Sequence, residues 1–219
     1  MELIKELPAL GRDLGPGLIL IGLTSLAAIL VGCLFEEWET LPWMATATVS
    51  LCGIGLLLRF LPKTSKGPRT STSIAATALV WVIVGLCGSL PFLFTGMSFL
   101  DAAFESMSAW TGTGFSIVAD IESWPKTLLF WRSFMQWVGG LGIVAFTLTV
   151  ATRSGLVTRG LYNSESGSQA FMPSVISTAF QMWKIYAVLT ILAVLAILLT
   201  GVGLWDAVNL ALCGIATGG

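Results

Sequence analysis

Histidine is absent from the 219-residue chain. Its absence excludes His-based catalytic triads and histidine-ligated zinc. Charge is scarce too. Asp, Glu, Lys and Arg make up 11% of the residues and hydrophobic types 55%, whereas soluble domains carry roughly 25% charged residues. The balance is that of a membrane protein, and membrane lipid is its expected surround. The net charge of −1 gives no sign of a nucleic-acid partner. Cysteine is sparse and scattered: Cys33, Cys52, Cys87 and Cys213 stand singly in apolar segments. Without metal-ligand spacing, they read as small core residues. The opening "MELIKELPALGRDLG" mixes both signs of charge before a long apolar run, which is not the pattern of a cleavable signal sequence.

What the chain does have is long stretches without charge. Gly15–Phe35 gives 21 residues, Leu41–Leu58 18, Thr70–Leu100 31, Ser133–Thr152 20 and Ile185–Trp205 21. About 20 apolar residues cross the bilayer core as a helix, so five spanning helices are expected. The 31-residue run holds Pro91 and Gly96, and its helix is expected to end near Leu90–Phe94. Orientation follows from Lys and Arg. Lys5, Arg12, Arg59, Lys63, Lys66, Arg69, Arg153, Arg159 and Lys184 fall on one side, nine of the 11 basic residues. Taken as cytoplasmic, that side includes the N-terminus. Glu36, Glu37, Glu39, Asp101, Glu105, Asp120, Glu122 and Asp206 fall opposite, eight of 12 acids, giving an outer surface that attracts cations.

One element does not cross. "FLDAAFESMSAW", residues 99–110, reads as a helix of 12 residues, with Ser98 as N-cap and Asp101 three positions on. At 1.5 Å per residue it measures about 18 Å, half a bilayer. "TGTG" follows at once, and then the polar loop "ADIESWPK". Both ends return to one side, so the segment is re-entrant, and non-helical backbone at that depth must be buried in protein or line a wet cavity.

The segment recurs. "TGMSFLDAAFESMSAWTGTG", residues 95–114, aligns without gaps to "TGVGLWDAVNLALCGIATGG", residues 200–219. Thr95, Gly96, Asp101, Ala102 and Gly114 reappear as Thr200, Gly201, Asp206, Ala207 and Gly219. Each copy follows a span beginning on the cytoplasmic side, as a pore with rotational symmetry requires. The chain stops inside the second loop, as a truncated sequence would. Four sections are expected: 1–70, two N-terminal spans and a cytoplasmic loop; 71–153, the first helix–loop–helix unit; 154–172, a cytoplasmic connection containing "NSESGSQ"; and 173–219, an incomplete second unit. The fold class is therefore an all-α integral membrane protein with five spans and two re-entrant helix–loop segments in parallel repeats.

Carbonyls of an extended Thr/Gly segment can replace a cation's hydration shell where several segments face one axis. Glycine permits the dihedrals that turn successive carbonyls inward. Threonine adds a neutral acceptor, and the C-terminal end of the preceding helix is partially negative. Phosphate would instead need a helix N-terminus and a Lys after the second glycine; none follows Gly114. The plain alternative for "TGTG" is a tight turn. Gly139, Gly140 and Gly142 in "WVGGLGIV" suit close helix packing or a bend near a pore. Glu105 is costly to bury; it either pairs locally, with Arg132 the candidate, or holds the loop. The nine Trp residues read mostly as interface anchors.

"FESMSAWTGTGFS", "LLFWRSFMQWVGGLGIV", "MWKIY" and "WDAVNLALCGIATGG" together resemble the Trk/Ktr/HKT superfamily of potassium transporters, particularly its TrkH-type membrane subunits. The resemblance runs from about residue 72 to 219. It implies four linked helix–loop–helix units around one pore, with filter segments at Thr111, Gly112, Thr113 and Gly114 and at Ala216, Thr217, Gly218 and Gly219. It further implies potassium uptake across the bacterial inner membrane, with potassium as substrate and no cofactor in this chain. A homodimer and a cytosolic nucleotide-binding regulatory subunit of the TrkA kind are the implied partners. Gly112 stands where threonine is frequent, and Ala216 where serine or threonine is frequent. The competing reading is a secondary carrier or accessory membrane protein whose glycine-rich loops are structural.

Overall fold

Ser25 interrupts the first apolar run. Its buried hydroxyl donates to the Gly22 carbonyl at 2.6 Å and meets Thr48 Oγ1 at 2.5 Å. Such back-bonding competes with the helical ladder, and the run divides into α1 (Glu2–Thr24) and α2 (Leu26–Leu34). The chain returns as α3 (Leu41–Arg59), which starts with Pro42 in its first turn, where a missing N–H costs nothing. α1 and α3 lie backbone to backbone: a β-carbon on Gly15 would come within 2.6 Å of the Gly55 carbonyl oxygen. The computed structural model describes residues 2–61, 70–153 and 175–218.

The 31-residue run resolves as expected. α4 (Thr70–Ser89) gives way to a 3-10 turn over Leu90–Thr95, and Gly96 ends it at φ +81°. Then come α5 (Phe99–Trp110), α6 (Lys126–Arg153), α7 (Val175–Leu198) and α8 (Leu204–Ile215). The described residues are helical or irregular, with no strand among them. Among the described residues four segments are long and apolar enough to cross a membrane: Leu14–Leu34, Leu41–Arg59, Ala78–Thr95 and Phe180–Leu198. α6 carries the remaining uncharged run. The expected connection at 154–172, and Lys63, Lys66, Arg69, Arg159 and Gly219, lie outside the described residues.

The repeat is geometric as well as sequential. α5 and α8 have 12 residues each and begin 105 positions apart. Their N-caps, Ser98 and Gly203, share an extended conformation with ψ of 155° and 153°. Ahead of them Gly96 and Gly201 both take positive φ, +81° and +88°. Beyond the helices, Thr113 N–H bonds to the Ser108 carbonyl at 3.1 Å and Gly218 N–H to the Cys213 carbonyl at 3.0 Å. These pairs also stand 105 apart. Only the first copy has a side-chain cap, because Ser98 accepts from Asp101 N–H at 3.2 Å whereas Gly203 has no side chain to offer.

One reading has exceptions and another needs correction. Trp110 and Trp131 are buried core residues, with Trp131 Nε1 donating to the Gly88 carbonyl at 3.0 Å and the rings edge-on at 6.0 Å. They lie where α5 ends among α4 and α6, so protein rather than headgroups surrounds them. Of the four cysteines, all free, only Cys87 is buried, and Cys33 is exposed. An apolar segment in a membrane protein has an outward side, and apolar character alone does not tell that side from the core.

Candidate functional site

α5 ends where its last carbonyls find side-chain donors. The Thr111 hydroxyl donates to the Met107 carbonyl at 2.7 Å, and that of Thr113 to the Ser108 carbonyl at 3.1 Å. The two exposed hydroxyls lie 3.3 Å apart, and each oxygen has lone pairs with which to accept. Gly112 and Gly114 take φ of +69° and +72°, a region that side chains disfavour. The loop therefore reverses within four residues.

Glu105 and Arg132 meet. Arg132 Nε lies 3.2 Å from Glu105 Oε2, and both side chains are buried. The other carboxylate oxygen accepts from the Ser116 hydroxyl and the Ile117 N–H, each at 2.7 Å. Arg132 Nη2 donates to the Gly114 carbonyl at 2.8 Å. One ion pair thus ties α5, α6 and the limb of chain after the loop into one body. The two alternatives raised for Glu105, local pairing and holding the loop, are here the same arrangement. Its two oxygens are engaged, leaving it poorly placed as a direct ion ligand. The Gly114 carbonyl gives one of its two lone pairs to the guanidinium.

The second loop closes against the first. A β-carbon on Gly112 would stand 3.3 Å from the Ala216 carbonyl oxygen, and one on Gly218 would stand 3.4 Å from that of Gly112. Thr217 occupies the position equivalent to Gly112 and holds φ +59° without being glycine. Behind both loops runs α6. A β-carbon on Gly139 would collide with the Trp110 carbonyl oxygen, and one on Gly140 would reach within 3.5 Å of Ala216 and 2.7 Å of Tyr186 Oη. The Gln136 amide fills the place that a side chain on Gly218 would need. Arg132, Gln136, Gly139 and Gly140 recur at i, i+4, i+7 and i+8, one face of the helix.

Two of these features escape a reading by pattern. Gln136 is a neutral residue in an uncharged run, and its only signal is the spacing of four from Arg132. Glu37, counted only as a surface charge, caps α6 from the turn between α2 and α3. Its carboxylate accepts from the N–H groups of Lys126 and Thr127, both at 2.8 Å, and from the Thr127 hydroxyl at 2.7 Å. Beside it, Lys126 Nζ lies over the Phe35 ring at 4.0 Å, and Phe35 meets Trp205 edge-on at 4.9 Å. Among the described residues no group of three His, Cys, Asp or Glu could hold a metal ion.

Residues 44–219 match the family of TrkH, a cation transport protein. The chain belongs to this family. Among relatives of this TrkH-family chain, an uncharacterized cation transporter of Methanocaldococcus jannaschii is 38% identical over 98% of this chain and 45% of its own length. The Trk system potassium uptake protein TrkH of Halomonas elongata is 34% identical over 95% of this chain and 45% of its own. The crystal structure of the potassium transporter TrkH from Vibrio parahaemolyticus overlays with a TM-score of 0.79 at 29% identity. That overlay covers 94% of this chain and 42% of the other. The chain thus spans less than half the length of the relatives it matches. Family membership and the apolar helices make it a multi-pass membrane protein.

Proposed function

We propose that this TrkH-family chain forms part of a pore for potassium uptake across the bacterial inner membrane, with 111–114 and 216–219 as filter segments. The meeting of two equivalent loops, each at the C-terminal end of a 12-residue helix, carries the reading. Carbonyls gathered there sit beside two partially negative helix ends, which favours a cation over an anion. In this reading α6 is the fifth span, α5 and α8 are re-entrant, and the N-terminus is cytoplasmic. Glu105 and Arg132 support the filter without touching the ion. A homodimer and a cytosolic nucleotide-binding subunit complete the assembly, and the activity is transport, not catalysis.

Gly114→Ser, in the protein expressed from its native gene, tests this. At φ +72° a side chain is strained, by about 1–3 kcal/mol, and relief of that strain would move a filter carbonyl. The expected result is a lower preference for rubidium over sodium in competitive uptake, at unchanged membrane expression. Gly214→Ser is the control: it lies three residues before Thr217 in the second unit and has open space around it. Its counterpart Ala109 is fully buried and would confound the comparison. Equal preference in wild type and Gly114→Ser would leave the loops as packing turns, the carrier or accessory reading.

A further inference from the structure

The first loop is anchored to α6 through Arg132, whose guanidinium holds the Gly114 carbonyl at 2.8 Å. The second loop rests on α6 four residues later. There the fully buried Gln136 amide lies against Gly218, and Gly218 lies in turn against the Gly112 carbonyl. Four residues, about 6 Å along the helix axis, separate these anchors, and an intact helix cannot stretch between them. We propose that Gln136 is a positioning residue that sets the offset between the two loops and, through it, the ion preference of the site. The inference rests on the filter reading above. It adds a residue that neutralises no charge and acts through where it holds Gly218.

The geometry has a specific signature. Because the amide occupies the volume a Gly218 side chain would need, the two positions should compensate each other. Gly218→Ala in the wild-type background forces the loop or the amide that seats it to shift; after Gln136→Ala the same methyl group finds room. The test uses the protein expressed from its native gene, with competitive rubidium and sodium uptake at matched membrane expression. Gln136→Asn, which draws the amide back by one methylene, should lower the rubidium preference by about fivefold or more. Gln136→Met, which keeps the length and loses the amide, serves if the first variant reaches the membrane poorly. Gly218→Ala should lower the preference alone and change it little in the Gln136→Ala background. Gly142→Ala, facing only an ordinary contact with Trp81 at 3.5 Å, should leave it unchanged.

Unchanged preference in the Gln136 variants, or an equal effect of Gly218→Ala in both backgrounds, overturns the proposal. If Gly114→Ser shifts the preference and the Gln136 variants do not, the filter reading stands and this inference alone falls. If none of them shifts it, both fall.

Discussion

Arg132 and Glu105 are buried together, so removing either leaves a charge without its partner. Arg132→Met should destabilise the protein by about 3–5 kcal/mol, and adding Glu105→Gln should recover part of that loss. Thermal unfolding of the purified protein in detergent checks both, and additive losses in the double variant would mean that the ion pair is not the operative contact. At this scale charge was the legible signal. Two ionisable residues beside long apolar runs invite the question of how each is satisfied, and their pairing could be raised from the sequence alone. Gln136 posed no such question, since a neutral amide is cheap enough to be overlooked. Trp110 and Trp131 misled because the same residue type serves headgroup anchors and cores.

Among the elements, α6 depends on a residue far away in the chain. Glu37 satisfies its first N–H groups across 89 and 90 positions and places a negative charge at the positive end of the helix. Glu37→Ala should cost about 0.5–2 kcal/mol. Glu37→Gln, keeping one acceptor oxygen but no charge, should cost less. Chemical denaturation or thermal melting of both variants measures the difference, and identical losses would assign the whole effect to the charge. The sequence revealed the start of α5 because Ser98 and Asp101 cap it locally. It could not reveal the cap of α6, because pattern reading sees only neighbours along the chain. The break at Ser25 was missed for a related reason: a single serine in an apolar run matters only once Thr48 stands opposite.

For the whole molecule, the repeat was the most informative thing in the sequence. Five identities in 20 aligned positions were enough to place two helices whose caps, turns and glycine conformations agree. How closely the loops approach was not legible, because it depends on Gly139 and Gly140 facing Trp110 and Ala216, a relation between three helices. In the proposed four-unit pore, two loops would supply half of the coordination ring. Residues 1–219 expressed alone should therefore give no rubidium uptake in a transport-deficient host, and selective uptake by these residues would contradict the four-unit pore. Single cysteines at positions 66 and 122 should label from opposite sides of the membrane, 66 from the cytoplasm. Labelling from one side would overturn the topology.

The ion pair also constrains how the protein is made. A ribosome delivers residue 105 to the membrane 27 residues before residue 132. At the bilayer centre an unpaired charge costs roughly 2.5–3.5 kcal/mol to insert. Until Arg132 emerges, α5 carries a carboxylate with no counter-charge and has no reason to leave the aqueous channel of the insertion machinery. If α5 is re-entrant, as proposed, its entry must wait for α6, and the hairpin enters as a unit. Nascent chains arrested with Arg132 still inside the ribosome should crosslink from position 105 to the insertion channel and not to lipid. Chains arrested some tens of residues later should lose that crosslink. Arg132→Met should retain it at every length.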